Sequence, residues 1–276
     1  MYTRKKNIFV RMSENVNVQK ALGVILPVLL GIVIFVLWQT QVIHKIFHVD
    51  VFTLPLPTRI VSIMIDNISD ILINTKATVF ASAIGLLIGS VIGYVIAWVA
   101  DRWKGFGSGG LIIVTAFNAI PIVALAPVMT NWTRDVSPDA SVRSMVSKIL
   151  VVMIVSIASM SINAYRGLTE LKPYAMDMMT SYAAKRKDIF WKLQFPNSVP
   201  YIFTALRVSA PNSVISAIVA EYFAEYIIGV GRQIRENIVL AQYSTAWAYI
   251  LTACIIGIVF YVVLMIAEAV ILKHRK

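Results

Sequence analysis

The groups able to ligate a metal, move a proton or act as a nucleophile are few and scattered. The chain has three histidines, His44, His48 and His274, one cysteine, Cys254, and 14 acidic residues among 276. His44 and His48 stand four apart, which could place two imidazoles on one helix face, but no third ligand lies close, as a metal site would need. Cys254 lies in an apolar run and has no partner for an intrachain disulfide, so a packed apolar side chain is expected there. No Gly-x-x-x-x-Gly-Lys-Ser/Thr phosphate loop occurs. Gly105-Phe-Gly-Ser-Gly-Gly110 and Gly229-Val-Gly231 come near it but lack the lysine and hydroxyl pair, and the second reads as a tight turn. The apolar runs hold no facing His/Asp or carboxylate pair. These residue types predict no catalytic residue, no metal ligand and no cofactor in this chain.

The informative cluster is polar and lies between residues 165 and 200. Leu171, Tyr174, Ala175, Met178 and Tyr182 recur at three and four, which makes one apolar face of a helix. Pro173 is tolerated early in such a helix. The basic run Lys185, Arg186 and Lys187 follows, then Ile189, Phe190 and Leu193. Pro196 is expected to end the unit and hold Phe195 extended, because proline lacks an amide hydrogen and crowds the residue before it. Ser198 would cap the next helix, with Pro200 in its first turn. A helix-turn-helix of this kind, apolar toward its own bundle and charged outward, could dock a partner. It could equally be an ordinary basic connector.

The elements that position this segment are membrane spans. Hydrophobic residues make up 58% of the chain and charged ones 14%, against about a quarter charged in soluble domains; the mean hydropathy is +0.76. About 20 apolar residues cross a bilayer as a helix. Six segments qualify: 21–38, 77–100, 110–129 (broken by Pro121 and Pro127), 145–164 (interrupted by Lys148), 201–224 (with Arg207, Pro211 and Glu221) and 247–272. The fold class read from this is all-α, a polytopic membrane protein with six transmembrane helices. A short N-terminal segment, 1–20, precedes a membrane domain over 21–276. The first run lacks a cleavage pattern and reads as a retained span.

The net charge of +11 is distributed by topology. Basic residues exceed acidic ones in 1–20, 101–108, 165–200 and the tail from Lys273. They balance in 39–76, 130–144 and 225–246. The excess therefore falls on alternate connections, which the positive-inside rule assigns to the cytoplasm, with both termini there. A nucleic-acid face would be one basic patch with interleaved aromatics, and none is seen.

Other features are positional. Gly85, Gly89 and Gly93, with Ser82, form a small-residue stripe that lets another helix approach. From Thr58, Ile60, Ile63, Met64, Asn67, Ile68 and Ile71 repeat at helical spacing, an amphipathic helix either on the outer surface or packed against the bundle. Asn118, Pro121, Asn212, Ser213 and Ser216 are polar or helix-breaking groups at membrane depth. They either line a path or bond between helices. Glu221, near the outer end, is either a gate or binding-protein contact or a satisfied structural acid. Arg207 can snorkel to the cytoplasmic side.

Residues 177–200 resemble the EAA loop of bacterial ABC importer permeases, nearest the nitrate/sulfonate/taurine type, a branch that includes riboflavin and thiamine-pyrimidine-precursor permeases. Asp177 stands at the acidic position, Met178 and Met179 at the two alanines, Ala183 at the glycine, Ala184 at the next alanine, and Phe195-Pro196 at the Leu-Pro. Ala119 to Pro127, Ser147-Lys148, Asn163 to Leu168, Tyr201 to Arg207 and Ala220-Glu221 also resemble that branch, in order, so the likeness covers about residues 55–270. It implies the type I importer permease fold in a bacterial cytoplasmic membrane. It also implies a second permease subunit, the same or homologous, two cytoplasmic ATPase subunits that hold ATP and Mg, and an extracytoplasmic binding protein that delivers a small organic solute or anion. Asp177, Ala183, Ala184, Arg186, Lys187, Ile189, Phe190, Trp191 and Pro196 then become the ATPase-coupling residues, with Ile189, Phe190 and Trp191 as the insert and Arg186 and Lys187 at its rim. Met178, Met179 and Ala183 depart from the motif, and residues 131–145 look longer than usual. The Ser181-Tyr182-x-Ala184 variant and residues 201–207 point toward a riboflavin- or pyrimidine-like compound. An ion-coupled transporter working without an ATPase is the alternative.

Overall fold

The structure, a computed structural model, describes residues 16–103, 105, 107–116, 119–223 and 228–273. Within them the chain is helical: α1 Val16–Gln39, α2 Val42–Phe47, α3 Pro57–Asp66, α4 Ile68–Arg102, α5 Gly107–Ala116, α6 Ile122–Trp132, α7 Ala140–Thr169, α8 Ala175–Ser181, α9 Arg186–Ile189, a π-helical turn Phe190–Gln194, α10 Phe195–Phe223, α11 Val230–Val239 and α12 Tyr243–Ile271. The N-terminal segment 1–20 lies mostly outside the described residues.

Among the described residues five helices, not six, are long and apolar enough to cross a membrane: Ala21–Gln39, Ile68–Arg102, Ala140–Thr169, Arg186–Phe223 and Tyr243–Ile271. The expected span 110–129 is instead the pair α5 and α6, separated around Pro121. Pro121 is the N-cap of α6, at φ −60° and ψ 125°. A proline has no N–H to continue the preceding helix. At 10 and 11 residues, each piece rises only about 15 Å, half of the apolar thickness. Both pieces lie against the bundle, α5 on α4 and α7, α6 on α7 and α10.

The central packing is α4 on α7 on α10. The stripe on α4 makes it possible. A Cβ placed at Gly85 would lie 2.6 Å from Val152 Cβ, at Gly89 2.5 Å from Met153 O, and at Gly93 2.6 Å from Ile157 O. The two backbones are thus in contact, as small-residue crossings in membranes require. Lipid tails are as apolar as leucine, so close van der Waals packing holds these helices together.

The amphipathic helix read from Thr58 is shorter than expected and packs against the bundle. α3 ends at Asp66, and α4 begins at Ile68, nine residues ahead of the expected span. Ile60 and Ile63 pack on Ala248 with Trp38 and Trp247 around them, while Ile71 joins the core with Val214, Val230 and Tyr249. α1 touches the rest of the described chain near its C-terminal end, where Trp38 meets Trp247 edge-on at 5.6 Å and the Gln39 amide bonds Thr58. Cys254 is exposed rather than packed, on the face α12 turns away from the bundle. His44 is buried, with Nε2 2.6 Å from the Leu54 carbonyl, and no group of three His, Cys, Asp or Glu able to hold a metal occurs among the described residues.

Candidate functional site

The basic connection between α7 and α10 is built from its turns upward. α7 ends at Thr169 and its C-cap Glu170 returns a hydrogen bond to the Arg166 carbonyl. Tyr174 adopts a left-handed conformation, φ 61°, and starts α8. Asp177 sits exposed in the first turn of α8, and its carbonyl accepts the hydroxyls of Thr180 and Ser181 at 2.8 and 2.9 Å. At the far end, Ala183 N–H donates to Thr180 O at 2.9 Å and Ala184 N–H to Met179 O at 3.0 Å. With Ala183 at φ 48°, this is a Schellman cap, whose left-handed residue is usually glycine. The residue that replaces the motif's glycine therefore occupies a glycine conformation, and the turn keeps its shape at some strain.

α9 follows Lys185 and passes into the π-turn and then α10 without a break. Phe195 is α-helical, φ −59° and ψ −50°, with its N–H on the Phe190 carbonyl. Pro196 therefore does not end the unit, and Ser198 is not a cap; its hydroxyl bonds the Phe195 carbonyl within the helix. The wider π-turn stands where the proline's missing N–H and its ring would disrupt an α-helical register.

The segment is pinned to the ends of two helices, α4 and α7. Gln194 Nε2 donates to Asp101 Oδ2 at 2.9 Å and to the Leu168 carbonyl at 3.2 Å. Asn197 Nδ2 donates to the Gly167 and Glu170 carbonyls, and Tyr94 and Ser198 share a hydrogen bond of 3.0 Å. Phe190 points inward: it packs on the cluster of Ala97, Met160, Ala164, Leu168 and Ala205 and meets Trp98 and Trp191 edge-on. The face of α8 expected to lie on its own bundle does the opposite. α8 buries no residue, and Tyr174, Tyr182 and Met178 are 82%, 81% and 55% exposed. Trp191 is also exposed. Between α8 and the end of α4 lies a groove of about 720 Å³ bordered by Trp98, Arg102, Met176, Arg186, Lys187 and Ile189.

At the opposite end of the bundle a second polar constellation brings together residues far apart in sequence. Glu221 is fully buried. Its carboxylate accepts from Thr78 Oγ1 at 2.8 Å, Gly231 N–H at 2.9 Å and Lys148 Nζ at 3.3 Å. Lys148 also donates to the Ile228 carbonyl. Asn74 and Thr78 accept the N–H groups of Gly229 and Val230. Reading residues one at a time missed this pairing. The available signal was a lone lysine and a lone glutamate in two apolar spans, which must find partners. By the same logic Arg207 pairs with Glu268 rather than only reaching for the surface.

The remaining path candidates do not converge. Ser213 and Ser216 are buried with their hydroxyls on carbonyls of their own helix, Ala210 and Asn212. Asn212 is exposed on the bundle surface. Pro121 caps α6, and Asn118 lies outside the described residues.

The hydrogen bonds also sort the connections. At one end Asp101 meets Gln194, and Glu170 meets Asn197 and Tyr201; Thr78, Lys148 and Glu221 meet at the other. The net-basic connections 101–108 and 165–200 thus share an end of the bundle.

Comparison with known proteins agrees with this architecture. The profile of the family described as binding-protein-dependent transport system inner membrane component matches residues 85–275. The formylaminopyrimidine transport permease protein ThiX of Halalkalibacterium halodurans is 25% identical over 252 residues, 91% of this chain and 96% of that one. The riboflavin transport system permease protein RibX of Chloroflexus aurantiacus is 25% identical over 163 residues, 58% of this chain and 57% of that one. The nitrate import permease protein NrtB of Synechococcus elongatus is 23% identical over 139 residues, 50% and 47% of the two chains. A solved structure of the MetNI methionine ABC transporter in inward-facing conformation superposes with a TM-score of 0.62 at 14% identity, covering 76% of this chain and 97% of that one, so the fold is shared. An all-α bundle, net-basic connections gathered at one end and a profile match over most of its length together make this chain a member of the binding-protein-dependent transport inner membrane family, a multi-pass permease subunit of an ABC importer.

Proposed function

We propose that this permease docks an ATP-hydrolysing subunit through α8, α9 and the turns between them, and imports a small aromatic nitrogen heterocycle. The observation that carries the docking is the exposed aromatic and methionine face of Tyr174, Met178 and Tyr182 on a segment anchored to the bundle by Gln194 and Asn197. An apolar face of that size on a basic connector calls for a partner. The groove between Trp98 and Lys187 would receive part of it, with Arg186 and Lys187 at the rim. Asp177 and the Ala183–Ala184 cap hold α8 in shape, while Ile189, Phe190 and Pro196 join it to α10.

In this reading the net-basic end is cytoplasmic, both termini are cytoplasmic, and ATP and Mg are bound by the ATPase. A second permease subunit completes the path, to which the exposed Asn212, Asn118 and the helix break at Pro121 contribute. Ser213 and Ser216 back that face. A binding protein delivers substrate to the opposite end, where Glu221 lies. The substrate class follows the relatives named for formylaminopyrimidine and riboflavin transport. Vesicles carrying the permease, ATPase and binding protein test the proposal: uptake of a labelled aminopyrimidine or flavin should need all three and ATP. Uptake by the permease alone, driven by an ion gradient, would overturn it.

A further inference from the structure

The docking segment and the buried charge cluster lie at opposite ends of one element. Residues Arg186–Phe223 form a single helical run of 38 residues, about 57 Å long at the helical rise. Its first turns belong to the docking segment. Its last turn carries Glu221.

What Glu221 holds is the start of α11. Three successive backbone N–H groups open that helix, at Gly229, Val230 and Gly231. Their acceptors are Asn74, Thr78 and Glu221. Lys148 takes the carbonyl just before them, at Ile228, and neutralises the carboxylate. A negative group at a helix start is favoured by its dipole. Steric fit removes the remaining slack. Gly229 has φ 152°, and a Cβ there would overlap the Glu221 carboxyl; one at Gly231 would overlap the Ile218 carbonyl. The turn read from Gly229-Val-Gly231 is thus a socket for the end of α10. Arg235 adds a second tie, donating to the Tyr222 carbonyl at 3.2 Å. α11 is amphipathic and leads to Val239 and Leu240, both exposed.

We infer that Glu221 is a positioning residue of transport: displacement of the docking segment travels along the Arg186–Phe223 helix and is handed to α11 through the Glu221–Gly231–Lys148 contacts. This rests on the importer reading above and names the element that moves at the outer face. A buried ion pair resists removal of one partner far more than replacement of both by apolar residues, which separates coupling from folding.

The test uses the assembled importer in lipid nanodiscs, with the double substitution Lys148→Met and Glu221→Leu. ATPase recovery and basal hydrolysis report docking and should be unchanged; their absence in the unaltered complex would count against the importer reading instead. Uptake should fall about tenfold, a coupling free energy of ordinary size. Uptake equal to that of the unaltered complex overturns the inference. A second measurement needs no buried substitution. In a Cys254→Ser background, which removes the exposed native thiol, spin labels at Phe223→Cys and Val239→Cys should keep one separation between nucleotide-free and ATP-trapped states while the label at 239 moves relative to one at Trp132→Cys. A changing 223–239 separation overturns the inference.

Discussion

Replacing Gly89 by alanine isolates what the small-residue stripe contributes. The new methyl would sit 2.5 Å from Met153 O, 2.7 Å from Ser156 Cβ and 3.1 Å from Met153 Cα. Two of these neighbours are backbone and cannot rotate away, so α4 and α7 must part by about 1 Å, a gap that forfeits a quarter to a half of each contact's attraction. Overpacking of this kind costs about 1–3 kcal/mol. Alanine also improves helix propensity by about 1 kcal/mol, which would mask part of the loss. Gly257 supplies the correction, because it lies in α12 with no atom within 4 Å of its would-be Cβ. Gly257→Ala should show the propensity gain alone. The difference between the two variants is then the packing cost, about 1–3 kcal/mol or a five- to 150-fold change in the unfolding constant. Unfolding midpoints of both variants in one detergent read it out. Equal midpoints, or a larger loss at Gly257, would refute close contact of α4 and α7 as the source of stability.

Three further outcomes are expected. Ala183→Gly should stabilise the α8 turn by up to about 1.5 kcal/mol, because relief of left-handed strain, about 1–2 kcal/mol, exceeds the added chain entropy, about 0.4–1 kcal/mol; hydrogen exchange at the Ala184 amide measures it. Tyr182→Asp should abolish recovery of the ATPase with folded permease, whereas Phe190→Asp should lower the unfolding midpoint as well, since Phe190 packs inward. The backbone hydrogen bond from Ser141, 2.8 Å long, holds the Asp139 carboxyl below its ordinary range. Its contribution as N-cap of α7 is therefore full at neutral pH and is lost as pH falls through that lowered value. Asp139→Ala should lower the unfolding midpoint at pH 7 and have no effect in acid below the carboxylate range.

The long spans were legible because each is a run of apolar residues too long for anything but a membrane helix, and the alternating charge excess was legible by simple count. The stripe on α4 was legible because four-residue spacing has one meaning on a helix. The failures share a cause. The break expected at Pro121 is there, but it leaves two short helices instead of one crossing span, while Pro196, expected to end its unit, is absorbed in a π-turn. Which outcome wins depends on neighbours, here Gln194 tied to Asp101 and Leu168, which no local rule contains. The apolar face of α8 shows the periodicity of a helix, but periodicity cannot say whether that face meets its own bundle or a separate protein. Lys148 and Glu221 are 73 positions apart, so their meeting is a property of the packing of α7 and α10. Ala183 was marked by the motif comparison alone; its left-handed backbone explains why the motif's own residue there is glycine.

The most direct test of docking at α8 places a photo-crosslinking amino acid at position 182 in the assembled importer. Illumination of native membranes should join this chain to the ATPase subunit, and ATP-trapping should change the yield. No adduct with the ATPase, or labelling of Tyr182→Cys by an impermeant reagent from outside sealed cells, would contradict the account.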